Sequence, residues 1–459
     1  MTWANRAGFI LVCVMMVFTT IAYGAVHQPI LVLFYAACAA LLVLWSIDGF
    51  KSGAIRFTRE PLQLPLAATA LYGAMQVLPL GHFASIAGLA DVPRKISLDP
   101  FATQVNAMHF AALFLFLAIL LVLLDSAGRI KRLAGLIFFF GAIYAFFGIL
   151  QGVLSPDKIY GIYEAKAAPP FGSFVNRHNF AAYMEMSLAI PLGLMFVGAV
   201  KRDKRLLYMT GIGLMGVALI MSGSRGGLVA LLAEIVLILM MTLGKKGERR
   251  WVLKGVLAAA MVGAIVAGSF FVGGESSLTR LAETAKSDDL TTDRSHIWSV
   301  TLKVIGANMP LGAGLGAFGI AYTQFDDRSG LERVEQAHND YLQVLSDAGL
   351  VGALIGIGFL VVLFTTGKAA VTTKNLYRKG VAVGAAGGIF AIMVHSLFDF
   401  VLHTTAVALL FLALAALLSA CRWKYEDDVV DEEDQHKRRR SRKASVESID
   451  ARRPPRPAI

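Results

Sequence analysis

The chain has 459 residues, of which 56% are hydrophobic and 16% charged, and its formal net charge is +11. A soluble domain carries about a quarter charged residues, so this balance excludes an ordinary soluble globular protein. The basic excess does not indicate nucleic acid either, because it borders apolar segments, where anionic lipid headgroups account for it.

Apolar runs of roughly 17–25 residues can cross ~30 Å of hydrocarbon as helices. Such runs recur at about 7–25, 29–47, 62–80, 105–125, 133–154, 178–199, 206–222, 226–243, 251–273, 347–367, 380–398 and 403–421. They lack the alternation of barrel strands, and lipid admits only helices or closed barrels. The predicted fold class is therefore an all-α polytopic membrane protein with about twelve transmembrane helices. Arg6 before the first run and Ala22-Tyr-Gly-Ala25 after it imitate a signal peptide. Its length, and the second run that follows at once, predict an uncleaved helix instead. Cys13, Cys38 and Cys421 all fall in apolar runs and offer neither a disulfide framework nor a metal-ligand spacing.

Alternate loops are basic: Lys51/Arg56/Arg59, Arg129/Lys131/Arg132, Lys201/Arg202/Lys204/Arg205, Lys245/Lys246/Arg249/Arg250 and Lys368/Lys374/Arg378/Lys379. The positive-inside rule makes that side cytoplasmic and puts both termini there. Residues 1–424 read as one membrane domain without an internal repeat, and residues 425–459 as a blocked-charge tail expected to be disordered.

The outward loops carry the polar motifs. Ser97-Leu-Asp-Pro100 is a turn-rich re-entry into the fourth run. Asn176-Arg177-His178-Asn179 is a dense polar group at the start of the sixth. Ser222-Gly-Ser224-Arg225-Gly226-Gly227 joins the seventh and eighth through a turn too short for a loop. Glycine permits such a reversal and serine hydrogen-bonds within it. Residues 274–346 form the long polar stretch on the outer side, expected to contain short helices. In it, Asp293-Arg294-Ser-His296 opens an amphipathic segment to about Asn308, with Asp293 the expected N-cap. A glycine-rich stretch, Pro310-Leu-Gly312-Ala-Gly314-Leu-Gly316, follows it. From Glu335 a helix is predicted to Asp347, broken near Gly349, with His338, Tyr341, Leu342 and Leu345 on one face.

Several of these residues could carry chemistry. Arg225 lies in a glycine-rich turn, where a guanidinium can grip phosphate bidentately and the backbone can approach an anion. Snorkelling to headgroups is the competing account. Arg294 reads as an anion ligand or as a surface ion-pair partner, and Arg177 as an anion ligand or an interface marker. The imidazole of His338 can accept a proton or donate a hydrogen bond to phosphate, with core packing as the alternative. Asp340 or Glu335 is placed to orient it, or equally to form a surface ion pair. His395, Asp399 and His403, near the last turn, hint at a polar-lined cavity. No HExxH, DxD or Cys/His cluster occurs, so no metal and no cofactor is expected.

Taken in order, Ser97-Leu-Asp-Pro100, Gly172-Ser-Phe-Val-Asn176-Arg-His-Asn, Ser222-Gly-Ser-Arg225-Gly-Gly, Asp293-Arg-Ser-His-Ile-Trp298 and Ala337-His338-Asn-Asp-Tyr-Leu342-Gln resemble the O-antigen ligase and polymerase superfamily of bacterial membrane glycosyltransferases. The resemblance implies metal-independent, inverting glycosyl transfer at the periplasmic face of the inner membrane, from a glycan on undecaprenyl diphosphate. It implies a diphosphate-holding role for Arg225 and Arg294, with Arg177 joining them less directly. His338 would be the catalytic histidine, activating the acceptor hydroxyl or assisting the leaving diphosphate. Ser224, Asn176, Asn339, Asp340 and Tyr341 are supporting positions in the same motifs. The acceptor expected is lipid A-core, making the chain a ligase. A polymerase would pass the glycan to another lipid-linked repeat, and a protein glycosyltransferase to Ser, Thr or Tyr. Outside this class, the alternative is a transporter of lipid-linked glycan, which would hold its charges near the bilayer midplane.

Overall fold

The computed structural model describes residues 1–82, 93–165, 168–242, 294–328 and 333–423. The expected ninth span at 251–273, the start of the polar stretch with Asp293, and the charged tail lie outside these residues. Among the described residues, nine helices are long and apolar enough to cross a membrane.

The helices are α1 (Trp3–Ile21), α2 (Gln28–Ser52), α3 (Leu64–Gln76), α4 (Pro100–Leu123), α5 (Ala127–Leu154), α6 (Arg177–Val197), α7 (Arg205–Met221) and α8 (Arg225–Thr242). They continue as α9 (Arg294–Asn308), α10 (Phe318–Thr323), α11 (Asp340–Ala370), α12 (Leu376–His395) and α13 (Thr405–Ala420). Two antiparallel two-residue hairpins, Gly81–His82 with Pro93–Arg94 and Lys158–Ile159 with Tyr163–Glu164, are the strands among them. Two expected spans are shorter than a full crossing. The helix α3 has 13 residues and α13 has 16. Every residue of α13 is buried, so protein rather than lipid surrounds it, and such a helix is apolar on all faces.

The bundle is built around α6, whose described core face takes in most of its length, and its broadest contact is with α12. Glycine sets that crossing. A Cβ on Gly193 would come 2.3 Å from the Gly384 nitrogen, and one on Gly384 would come 2.5 Å from the Ala189 carbonyl oxygen. Small residues let membrane helices approach backbone to backbone. Gly384→Ala must therefore push α6 and α12 apart, at a cost of about 1–3 kcal/mol. A lowered thermal unfolding midpoint in detergent is expected; a wild-type midpoint would mean the crossing has slack.

Two polar motifs explain how the segments between the spans are held. Ser97 hydrogen-bonds Thr103 at 2.7 Å, and Asp99 caps α4 by accepting from the Ala102 N–H at 3.0 Å. The Leu98 N–H donates to Ala313 in the glycine-rich stretch. That stretch seals a break in α11, where Gly349 adopts φ 56°, ψ −145°. The carbonyls of Ser346 and Asp347, left open by the break, accept from the N–H groups of Ala313 and Gly314, and the Leu350 N–H donates to Pro310. A Cβ on Gly349 would lie 2.2 Å from the Pro310 oxygen, which is why glycine stands there. Gln76 completes the seam, donating to the Leu311 and Asp347 carbonyls and accepting from the Leu315 N–H.

The break at Gly349 agrees with expectation, but the helix start does not. Residues 335–338 are not helical, because Asn339 ends the loop as an N-cap, its side chain accepting from the N–H groups of Tyr341 and Leu342 at 3.0 Å each. His338 therefore does not share a helical face with Tyr341, Leu342 and Leu345. It sits just before the cap with φ 48°, a strained left-handed conformation for a side-chain-bearing residue. The amphipathic segment ends where expected, at Asn308.

Candidate active site

Asp399, in the connection between α12 and α13, is the centre of a polar cluster at the end of the bundle where α6, α8, α9 and α11 begin. Its carboxylate is 2% exposed. One oxygen accepts from Arg294 Nη2 at 3.0 Å, and the other lies 3.3 Å from His338 Nδ1 and accepts the Phe400 N–H at 3.0 Å. His178 Nδ1 lies 3.6 Å from the first oxygen. Burial alone would raise this carboxyl. The hydrogen bond from His338 and the neighbouring Arg294 guanidinium instead hold it well below the usual carboxylate range.

His338 is partly open, its side chain 31% exposed, and its ring meets the Phe400 ring edge-on at 4.9 Å. Its backbone is pinned from both sides. The Ala337 N–H donates to Gln343 at 2.7 Å, and Trp298 Nε1 donates to the Ala337 carbonyl at 3.0 Å. Asn339 and Asp340 do not face His338. Asn339 donates to the Leu397 carbonyl at 2.9 Å. Asp340 accepts from Ser396 Oγ at 2.7 Å and pairs with His403 at 3.0 Å. The expectation that Asp340 or Glu335 orients the imidazole is thus corrected. Asp340 is taken up stapling the α12–α13 connection, and Glu335 pairs with Arg333 at the surface. Tyr341 donates to the Met393 carbonyl at 2.8 Å.

The short turn between α7 and α8 brings the remaining residues alongside. Gly223 takes φ 68°, and Arg177 Nη1 lies 3.7 Å from where its Cβ would be. Ser224 Oγ is 2.9 Å from His178 Nδ1 and accepts the Gly227 N–H at 3.2 Å. Asn176 caps α6 by accepting from the His178 N–H at 2.9 Å. Arg225 begins α8, and its guanidinium is near enough to Arg294 for the two charges to interact. Arg177, Arg225, Arg294, Ser224 and His338 come together in this way from four distant stretches of chain. Three guanidinium groups, converging with one aspartate, suit a multiply charged oxyanion.

Of the residues near the last turn, His403 lines an apolar cavity of about 260 Å³ that runs between α3, α4, α11 and α13. Asp340, Asp347, Gln343 and His109 contribute polar atoms to its wall. Among the described residues, His296, Asp326 and Asp327 place potential metal-ligand atoms within 4.8 Å of one another. Asp327 is largely exposed and the group is paired internally.

Sequence reasoning placed Asp399 with His395 and His403 in a polar-lined cavity but did not foresee that it joins Arg294 to His338. It also passed over Glu185 and Glu234, lone carboxylates inside apolar spans, where a charged residue is costly and therefore informative.

The fold and the cluster define a polytopic helical membrane protein with a cationic, imidazole-bearing site at one end. Residues 210–357 match the family model described as O-Antigen ligase. The chain is O-antigen ligase-like over that segment, which holds Ser224, Arg225, Arg294 and His338, while Asn176, Arg177 and Asp399 flank it. No curated protein matches the chain. In broad terms the family implies a glycosyltransferase-like enzyme acting on glycan and lipid-linked substrates.

Proposed function

We propose that the chain is an O-antigen ligase-like glycosyltransferase that moves a glycan from undecaprenyl diphosphate to a hydroxyl acceptor, lipid A-core, at the periplasmic face of the inner membrane. The observation that carries this reading is that a single carboxylate, Asp399, holds both Arg294 and His338. It couples a diphosphate-binding cation to a proton-accepting imidazole.

The chemistry follows from the donor directions. A carboxylate only accepts, so the His338 Nδ1–H points at Asp399 and the Nε2 lone pair is left for substrate. Nε2 takes the proton of the acceptor hydroxyl as its oxygen attacks the anomeric carbon. The bond from that carbon to the diphosphate oxygen breaks on the opposite side, and configuration inverts. Arg225, Arg294 and Arg177 meet the charge that gathers on the leaving undecaprenyl diphosphate, the part a metal ion plays in other transferases. The mostly apolar wall of the cavity beside Asp340 suits hydrocarbon. The basic loops at the opposite end of the helices support both termini being cytoplasmic.

A transporter reading draws support from one observation, the buried Glu185 and Glu234 inside spans. Transfer from purified undecaprenyl-diphosphate glycan to acceptor in detergent, with a metal chelator present, separates the two. Product is expected. No product with any acceptor, together with substrate movement in proteoliposomes, would overturn the enzyme. In a deletion strain, unattached full-length chains are expected; single repeats would make the chain a polymerase.

A further inference from the structure

Behind the Asp399 cluster, a line of polar side chains runs inward to the middle of the bundle. Glu185 of α6 is completely buried, and its carboxylate lies 3.0 Å from His395 Nδ1. His395, also completely buried, ends α12 and has its Nε2 3.5 Å from Ser224 Oγ. Ser224 Oγ is in turn 2.9 Å from His178 Nδ1, and that nitrogen faces Asp399. No step of the proposed transfer uses Glu185 or His395.

The donor rules give this line a direction. The Glu185 carboxylate accepts, so His395 carries a proton on Nδ1, and as a singly protonated ring it offers a lone pair at Nε2. The only donor facing that lone pair among these contacts is the Ser224 hydroxyl, which must spend its hydrogen there. Ser224 Oγ is then left with lone pairs, one filled by the Gly227 N–H. His178 must meet the other with an Nδ1–H, which is the same group that faces Asp399. A neutral imidazole has two tautomers, and the hydrogen bond on one nitrogen decides which is present. Here the decision is made two residues away, inside the membrane.

We propose that Glu185 is a positioning residue of the transferase site, acting through His395 and Ser224 to lock His178 as the Nδ1–H tautomer, which donates to Ser224 and turns the same N–H edge toward Asp399. The inference rests on the transferase reading for its kinetic consequence, but not for its structural one. Asp399 is held by Arg294, His338 and the Phe400 N–H, and the His178 N–H edge 3.6 Å away adds a favourable dipole beside the carboxylate. With the other tautomer, a His178 lone pair would face the carboxylate at that distance and press Asp399 away from the His338 Nδ1–H, so that the Nε2 lone pair loses its aim.

The test is nitrogen NMR of the full-length chain labelled at histidine, in lipid nanodiscs, with the His178 and His395 signals assigned by single substitution. The chain has only 9 histidines, which keeps the spectrum tractable. Both residues are expected to be neutral Nδ1–H tautomers. Ser224→Ala leaves the Glu185–His395 pair intact but cuts the line, and Glu185→Leu removes its origin. Each is expected to release His178 into mixed tautomers. In each, kcat should fall about 10- to 100-fold, the range commanded by outer hydrogen-bond partners of imidazoles at metal sites, with KM for the donor changed less than threefold. A His178 that keeps its Nδ1–H tautomer in Ser224→Ala overturns the proposal, whether or not Glu185→Leu folds. So does a His395 found protonated on both nitrogens, because Ser224 would then point the other way. Tautomer changes as expected in a protein without transferase activity would instead sustain the positioning line and refute the transferase.

Discussion

Asp399→Asn is expected to lower glycan transfer by about ten-thousandfold, the loss seen when the carboxylate that orients a catalytic imidazole becomes an amide. The amide retains size and shape, but it can offer an N–H to His338 Nδ1 where only an acceptor serves. The imidazole would then shift its proton to Nε2, the nitrogen that must be empty to take the acceptor's proton. The Arg294 contact at 3.0 Å would lose its ionic partner in the same change. His338→Ala should cost a similar factor. The two act as one unit, so the double variant is expected to be little slower than either single one. Initial rates of single-turnover transfer, with each variant checked for monodisperse extraction, decide the matter. Asp399→Asn within tenfold of wild type would remove the aspartate from the mechanism, and additive losses would separate it from His338.

Arg294→Ala and Arg225→Ala are each expected to reduce kcat by about 10²- to 10³-fold, the usual loss of one preorganised group that stabilises developing anionic charge. They should differ in a second respect. Arg294 also holds Asp399, so its loss disturbs His338, whereas Arg225 begins α8 close to Arg294. Arg225→Lys should therefore recover part of the lost rate as a simple cation, and Arg294→Lys should recover less, because lysine lacks the planar fork that spans carboxylate and phosphate together. Binding of undecaprenyl diphosphate, followed by fluorescence competition, should weaken in both alanine variants. Undiminished binding in both would mean that these guanidinium groups do not hold the diphosphate.

Much of this architecture was legible in the residues, for reasons that differ from one part to another. Apolar runs long enough to cross a bilayer announce helices whatever their partners, and all the expected spans among the described residues contain one. The lengths were harder. Gln76 ends α3 because its side chain is bound to residues 311, 315 and 347, which no local pattern reveals. The glycine-rich turn and the Asn176 cap act over a few residues, so Arg177, Ser224 and Arg225 could be placed at helix ends from sequence. Where His338 sits depended on which side of Asn339 the helix begins. Periodicity extends a helix through a polar residue, whereas the Asn339 side chain, by accepting from Tyr341 and Leu342, stops it. The role of Asp399 escaped because it lies in contacts across 61 and 105 positions of sequence. Glu185 escaped because a lone acid in an apolar run gives no sign of the histidine it will meet.

The sealed break at Gly349 bears on how such proteins can be recombined. Residues 310–316 supply the hydrogen bonds that the interrupted α11 lacks, and Leu98 in the Ser97 turn and Gln76 of α3 hydrogen-bond the same segment. The outer segment and the membrane helix beneath it are thus one joinery, cut to matching shapes. A designer wishing to change acceptor preference by exchanging loops with a relative would have to carry residues 310–350 across as a single cassette, together with the Ser97 turn. A junction placed inside that cassette would leave the buried Ser346 and Asp347 carbonyls without donors.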